Sequence, residues 1–225
     1  MKLRAFLSLL LLVPAPSLGV WFGMILMPGT PVGTGIYLFF KGWILLLPAL
    51  WFFLVEGGRF SRGKTRAGGI RTGLRTGLAL GVLVALLYLL FGERMIDAAT
   101  VQELAAGIKL DRKLYYAGGA LNWICINSLA EEYVWRWFVM RQCLKLMKPK
   151  AAIAGSALGF ALHHVLAMQL YLSWTVTLVG ALCILLAGAL WSWMFLRYRT
   201  IWPGWLSHAL VDLALFAVGY RLIFC

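Results

Sequence analysis

The stretch Ser128-Leu129-Ala130-Glu131-Glu132-Tyr133-Val134-Trp135-Arg136-Trp137-Phe138 puts three charged side chains into an apolar, helix-length run, residues 116–140. A charge near a bilayer centre costs at least ~2.5–3.5 kcal/mol, so such groups are paired or functional. Glu132 and Arg136 are four apart and share a helix face, where they can pair. Glu131 is rotated by about 100° from Glu132 on a helix of 3.6 residues per turn, and it has no partner on its own helix. A paired glutamate beside an unpaired one reads as a structural group next to a chemical one.

The three histidines, His163, His164 and His208, all fall inside other apolar runs, as does Asp212. Glu131 lies ten residues before Arg141, His164 fourteen after Lys150, and His208 nine after Arg199. At ~1.5 Å per residue these are depths of about 15, 21 and 14 Å from the side that carries those basic residues. In a hydrocarbon core of about 30 Å they share one layer near the midplane, leaning toward the basic side. A glutamate in that setting can act as general base toward water, and a neutral histidine can share the work or donate to an oxyanion. His208 and Asp212 are four apart, so Asp212 can orient His208. Alternatively Glu131, His164 and His208 make a three-ligand zinc site with one position open for water. His163 lies off the Phe160–His164 face and reads as a group bonding to a neighbouring helix.

The elements that must position these residues are membrane helices. The chain has 225 residues, is 62% hydrophobic and has a mean hydropathy of +0.85, which points to an all-α, polytopic transmembrane bundle. The alternating ten-residue pattern of a membrane barrel is not present. A net charge of +13 invites a nucleic-acid reading, but the basic residues sit in short loops between apolar spans, as the positive-inside rule places them. Cys125, Cys143, Cys183 and Cys225 form neither a CxxC pair nor a disulfide framework and read as small apolar residues.

About seven spans are expected. The first, 6–27, follows Lys2 and Arg4 and lacks a clean small-x-small cleavage site, so it reads as a retained helix rather than a signal peptide. Pro28-Gly29-Thr30-Pro31 is a turn. The second span is 36–55, with Lys41 near its outer end and expected to snorkel to the interface. Arg59, Arg62, Lys64, Arg66, Arg71 and Arg75 follow with no acid among them, which marks the cytoplasmic side. The third span is 73–91. A charge-balanced segment, 92–113, then includes a possible amphipathic surface helix, 98–110. The fourth span carries the glutamates and ends on Arg141, Lys145, Lys148 and Lys150. The fifth is 151–174, the sixth 175–196, ending on Arg197 and Arg199, and the seventh 201–220. This puts the N-terminus inside and the C-terminus outside. Trp202-Pro203-Gly204 offers a further expectation, a broken start to the last span that admits a substrate strand. The tryptophans otherwise read as interface anchors or packing.

Glu131-Glu132-x-x-x-Arg136, then Phe160-x-x-x-His164, then His208-x-x-x-Asp212 follow one another on successive late helices. Together they resemble the CPBP family, the CAAX prenyl protease and bacteriocin-processing intramembrane proteases, also called Abi or Rce1-like. The resemblance covers about 121–215, so the chain divides into N-terminal helices without family motifs, 1–115, and CPBP-like catalytic helices, 116–225. It implies that Glu131 is the catalytic base and His164 its partner in activating water. His208 with Asp212 would stabilise the tetrahedral oxyanion, and Glu132 with Arg136 would hold the site together. Asp212 is the acidic variant of a position that is Asn or Asp in the family, which weakens the case for an amide donor there. No metal is favoured. If zinc binds, Glu131, His164 and His208 are its expected ligands. The implied protein is a multi-pass endopeptidase of a bacterial inner membrane, whose partners are the bilayer and a membrane-associated peptide or protein, with no nucleic acid. The competing functions are a proton- or cation-coupled transporter using the same residues as a relay, and a non-catalytic immunity or scaffold protein. Against transport, the chain shows no paired repeats.

Overall fold

A computed structural model describes residues 1–59 and 66–225, so Arg62 and Lys64 of the basic loop lie outside the described residues. The described residues form eight helices and no strand: α1 Lys2–Leu26, α2 Pro31–Val55, α3 Gly69–Met95, α4 Ala98–Gly107, α5 113–146, α6 Pro149–Gln169, α7 Trp174–Tyr198 and α8 Trp202–Phe224. Six of them are long and apolar enough to cross a membrane. The seventh expected span is α5, longer than any of these but carrying the glutamates and Arg136. The short α4 is the expected surface helix. Asp97 caps it by accepting from the Ala99 N–H at 3.1 Å. The turn between α1 and α2 uses Gly29 at φ +69°, a conformation glycine adopts without strain. Thr30 Oγ1 then caps α2 by accepting from Gly33 N at 3.0 Å.

Contacts sort the helix ends onto two faces. On one face Arg4 donates to the Val55 carbonyl at 2.9 Å, and Lys145 donates to Glu56 at 2.6 Å. The Arg66 N–H reaches the Tyr198 carbonyl at 3.2 Å on the same side. Burial alone would raise the Glu56 carboxyl, but the hydrogen bonds from Lys145 and Gln142 and the nearby Arg141 charge hold it below the usual carboxylate range. On the opposite face Arg221 pairs with Glu93 at 2.9 Å, and Gln102 donates to the Leu222 carbonyl at 3.0 Å. Among the described residues, the first face carries Arg4, the basic end of α5, Arg197 and Arg199, together with Glu56. The second carries the charge-balanced loop. The alternation of helix direction expected from the basic loops therefore matches the way the helices pack.

The closest helix pair is α3 against α8, and its fit rests on small residues. Gly69, Gly73, Gly77 and Gly81 recur every four residues along α3 and face Pro203, Ser207, Leu210 and Ala214 of α8. A Cβ on Gly77 would stand 2.9 Å from the Ser207 Cα and 2.8 Å from Leu210 Cδ1. Once the backbones are this close, Thr76 Oγ1 donates to Ser207 Oγ at 3.1 Å. Ser207 also accepts from Trp191 Nε1 of α7 at 3.0 Å. The stripe thus fixes the height and rotation of α8, which carries His208 and Asp212. The core sits in the basic half of the bundle, where Trp135, Phe138, Val139 and Met140 of α5 pack on Phe160, Trp191 and Met194, with Leu12 of α1 beside them.

Gly77→Ala is expected to lower the thermal transition in detergent, since overpacking costs about 1–3 kcal/mol. Gly118→Ala, where an added Cβ meets nothing within 4 Å, should be neutral or slightly stabilising. Equal behaviour of the two variants in a melting assay would remove the stripe's claimed role.

Candidate active site

Helix α5 is not a uniform α-helix around its glutamates. Ser128–Glu132 is α-helical, with π-helical turns at Asn122–Asn127 and Tyr133–Val139 on either side. Such widened turns re-aim side chains and are common at functional sites. Glu132 and Arg136 are completely buried and pair as expected, with Arg136 Nε 3.4 Å from Glu132 Oε1. The guanidinium lies over the Phe160 ring at 4.4 Å and near the Trp191 ring at 5.1 Å, so aromatic faces from α6 and α7 help to answer its charge. Glu132 has a second partner that spacing did not reveal, since His208 Nδ1 stands 3.2 Å from the same Oε1. The His208 ring stacks on Trp191 at 4.1 Å between centroids. Gly204 makes the approach of α8 possible, because a Cβ there would lie 2.5 Å from Glu132 Oε2.

Glu131 is held from two sides. Asn127, one turn earlier, donates from Nδ2 to Glu131 Oε1 at 2.9 Å. Asn127 Oδ1 accepts in turn from Lys41 of α2 at 2.8 Å. His208 Nε2 stands 3.6 Å from Glu131 Oε2 and 3.8 Å from Asp212 Oδ1. One imidazole therefore sits among three carboxylates. His164 Nδ1 contacts the Phe160 carbonyl at 2.8 Å. A carbonyl only accepts, so Nδ1 carries the proton and Nε2 is the free ring nitrogen.

A cavity of about 220 Å³ adjoins Glu131. Glu131, His163 and His164 line it, together with Lys41, Asn127 and Tyr37, while its remaining walls come from α1, α2, α5, α6 and Tyr171 just beyond α6. His208 and Asp212 do not line it and approach Glu131 from the other side. The cavity draws its walls from both sides of residue 115, so the helices without family motifs contribute directly to the site.

All the sequence-selected residues, Glu131, Glu132, Arg136, His164, His208 and Asp212, come together in the fold. Three expectations change. Lys41 does not snorkel to the interface. It turns inward, because Asn127 and the Trp123 ring, 5.7 Å from its ammonium, offer it partners inside the bundle. His163 meets a neighbouring helix but also lines the cavity, beyond the purely structural part expected of it. It stacks on Trp135 at 5.4 Å and 4° and its ring centroid is 4.0 Å from that of His164. Trp202-Pro203-Gly204 does not open the start of α8. It forms the first turn of that helix, with Pro203 and Gly204 buried against α3 and Glu132. The zinc set also differs from the expected one. Among the described residues, the group whose ligand atoms come within 4.8 Å of one another is Glu131, His163 and His164, while His208 is held between Glu132, Glu131 and Asp212. One carboxylate and two imidazoles are donors of the type that zinc accepts. Asn127 and Lys41 were missed, although both left a signal: Asn127 is four residues before Glu131, and Lys41 is a charge well inside an apolar run.

The fold and the buried polar cluster define a multi-pass helical membrane protein with an intramembrane site. Residues 114–214 match the family model described as type II CAAX prenyl endopeptidase, Rce1-like. The matched segment holds all three motifs, so this part of the chain is similar to a family of membrane proteases. No curated protein and no solved structure matches the chain.

Purified protein is expected to hold far less than one equivalent of zinc by elemental analysis and to keep its hydrolytic activity in a strong chelator. One equivalent of zinc, lost together with activity and bound poorly by His163→Ala, would instead make the Glu131–His163–His164 group a metal centre.

Proposed function

We propose that the chain is an intramembrane endopeptidase in which Glu131 activates water against a peptide bond of a membrane-associated substrate. The observation that carries this reading is the meeting of Glu131 and His164 beside an intramembrane cavity, in the segment that matches a family of endopeptidases. Glu131 takes a proton from a water molecule as that water attacks the peptide carbonyl. The free Nε2 of His164 accepts the water's other hydrogen and so aims its lone pair. The proton held by Glu131 then passes to the leaving amine as the C–N bond breaks.

His208 acts behind this pair. The resemblance implies an oxyanion role for it, but its Nε2 faces Glu131 Oε2 and Asp212 rather than the cavity. Asp212 likewise does not line the cavity. Both facts favour a positioning role, in which His208 braces one Glu131 oxygen while Asn127 braces the other. Lys41 fixes the orientation of Asn127 and adds a positive charge close to the base. The substrate is a membrane peptide or protein, and the catalysis is of glutamic type without a metal.

Activity is best read per folded molecule on a lipid-anchored fluorogenic peptide in proteoliposomes, beside thermal stability in detergent. Glu131→Gln should lower hydrolysis by at least ~10²-fold and leave stability nearly unchanged. Glu132→Gln strands Arg136 and removes a His208 partner, at a cost of about 3–5 kcal/mol, so its activity should be lost through the fold. Glu132→Gln with Arg136→Met should recover part of that stability. An active Glu131→Gln beside a folded but dead Glu132→Gln would reverse the two assignments.

A second variant pair tests the brace. Lys41→Met should lower kcat about tenfold, with KM and melting temperature little changed, because only the orientation of Asn127 and Glu131 is lost. Lys41→Arg should retain most of the rate. Full activity in Lys41→Met would remove Lys41 from the site.

A further inference from the structure

The side from which a peptide can reach Glu131 follows from which parts of each helix line the cavity. Helix α1 runs away from the basic face and contributes Pro16, Gly19, Val20 and Met24, all in its far half. Helix α2 runs toward the basic face and contributes nothing beyond Leu45, ten residues before its end at Val55. Helix α6 contributes His163, His164 and Ala167, and the wall continues past its last residue, Gln169, to Tyr171 in the connection to α7. That connection lies on the charge-balanced face. On α5 the lining ends at Trp135, eleven residues before Leu146 at the basic end. The cavity thus spans from the glutamate layer to the charge-balanced face.

The other direction is closed. Directly toward the basic face from Glu131 lie Trp135, Arg136 and Phe138 of α5, each no more than 2% exposed. Phe160, also 2% exposed, and Trp191, 3% exposed, complete the plug. The Glu132–Arg136 pair is embedded in it. A chain approaching from the basic face would have to displace this core and strand Arg136.

We infer that the substrate peptide reaches Glu131 from the face opposite the basic clusters. The positive-inside rule makes that face non-cytoplasmic. The substrate class is accordingly a membrane-associated segment presented on the translocated side of the bilayer, rather than a tail presented in the cytoplasm. This differs from the depth count along the sequence, which leans toward the cytoplasmic side. The count fixes the height of Glu131 and is blind to which half of the bundle is packed shut. The assignment rests on the endopeptidase reading for what is cut, and on the cavity alone for where it enters.

Accessibility labelling tests the entry side without any activity measurement. All four cysteines, Cys125, Cys143, Cys183 and Cys225, are first replaced by alanine or serine, and single cysteines are then introduced. Ala130→Cys and Ala167→Cys lie on the cavity wall, and Lys148→Cys lies on the basic face. Leu186→Cys, on the outer surface of α7 near its middle, controls for lipid-facing positions. The probe is a trimethylammonium methanethiosulfonate, which does not cross membranes. The wild-type melting temperature in detergent is required of each variant. In intact cells, Ala130→Cys and Ala167→Cys are expected to react and the other two to stay unmodified. In inside-out vesicles, Lys148→Cys should react. Modification of Ala130→Cys only in inside-out vesicles, or from neither side, would overturn the proposal. Labelling of Lys148→Cys in intact cells would overturn the non-cytoplasmic assignment. Each of these results leaves the hydrolysis by Glu131 to be judged by its own variants.

Discussion

A buried arginine, two buried carboxylates and a half-buried third inside a bilayer must be answered by groups within reach of their own side chains, and Glu132 bears the largest share of that requirement. It meets Arg136 through one oxygen and His208 through the same oxygen. Neither contact exists unless α8 stands against α5, which is why Gly204 sits where a Cβ would strike Glu132 Oε2. The glycine stripe of α3 presses α8 into that place, and the Trp191 hydrogen bond to Ser207 fixes its rotation. The rings of Phe160 and Trp191 bring α6 and α7 to the Arg136 guanidinium. Four of the helices are thus set by the need to satisfy one ion pair.

That satisfaction is what releases Glu131. If Arg136 were drawn to both glutamates, neither would be available to a water molecule. The geometry divides them: Glu132 is sealed, with 0% exposure, whereas the Glu131 side chain keeps 15%. Its oxygens are braced by Asn127 and His208, an amide and an imidazole, so that it keeps a cavity-facing side. The motif-free helices complete the arrangement. Lys41 reaches Asn127 from α2, and the close packing of α1 on α2 through Gly19, Gly23 and Gly33 builds the far wall of the cavity.

The spans, their directions and the polar layer were legible because each depends on a rule that acts along the chain: apolar length, loop charge and residues per turn. The pairing of Glu132 with Arg136 was legible for the same reason. What could not be read depends on packing between helices. The inward turn of Lys41 requires Asn127 to stand opposite it, and an apolar run alone leaves snorkelling equally available. The position of His163 depends on the rotation of α6 and on the flat face of Trp135. The π turns on either side of Ser128–Glu132 shift angular positions that a uniform 3.6-residue helix assigns. His163 rather than His208 completes the group with Glu131 and His164 because the His208 ring is held between Glu132 on one nitrogen and Glu131 and Asp212 on the other.

One feature of α5 ties the closed core and the open cavity to the sequence itself. On the basic side of the glutamates the helix buries Trp135, Phe138, Val139 and Met140, whereas on the other side it lines the cavity with Ala130, Asn127 and Trp123. Helix α6 answers with small buried residues, Ala152, Ser156, Ala157 and Gly159, and Gly159 lies against the Trp135 ring. Beyond the glutamates Ala130 and Asn127 of α5 share the cavity wall with the His163–His164 turn and Ala167. Dense packing on the basic side therefore seals one half of the bundle, and the cavity lies in the other. The glutamates stand at the boundary, which gives Glu132 a dry setting for its ion pair and Glu131 a wall of the cavity.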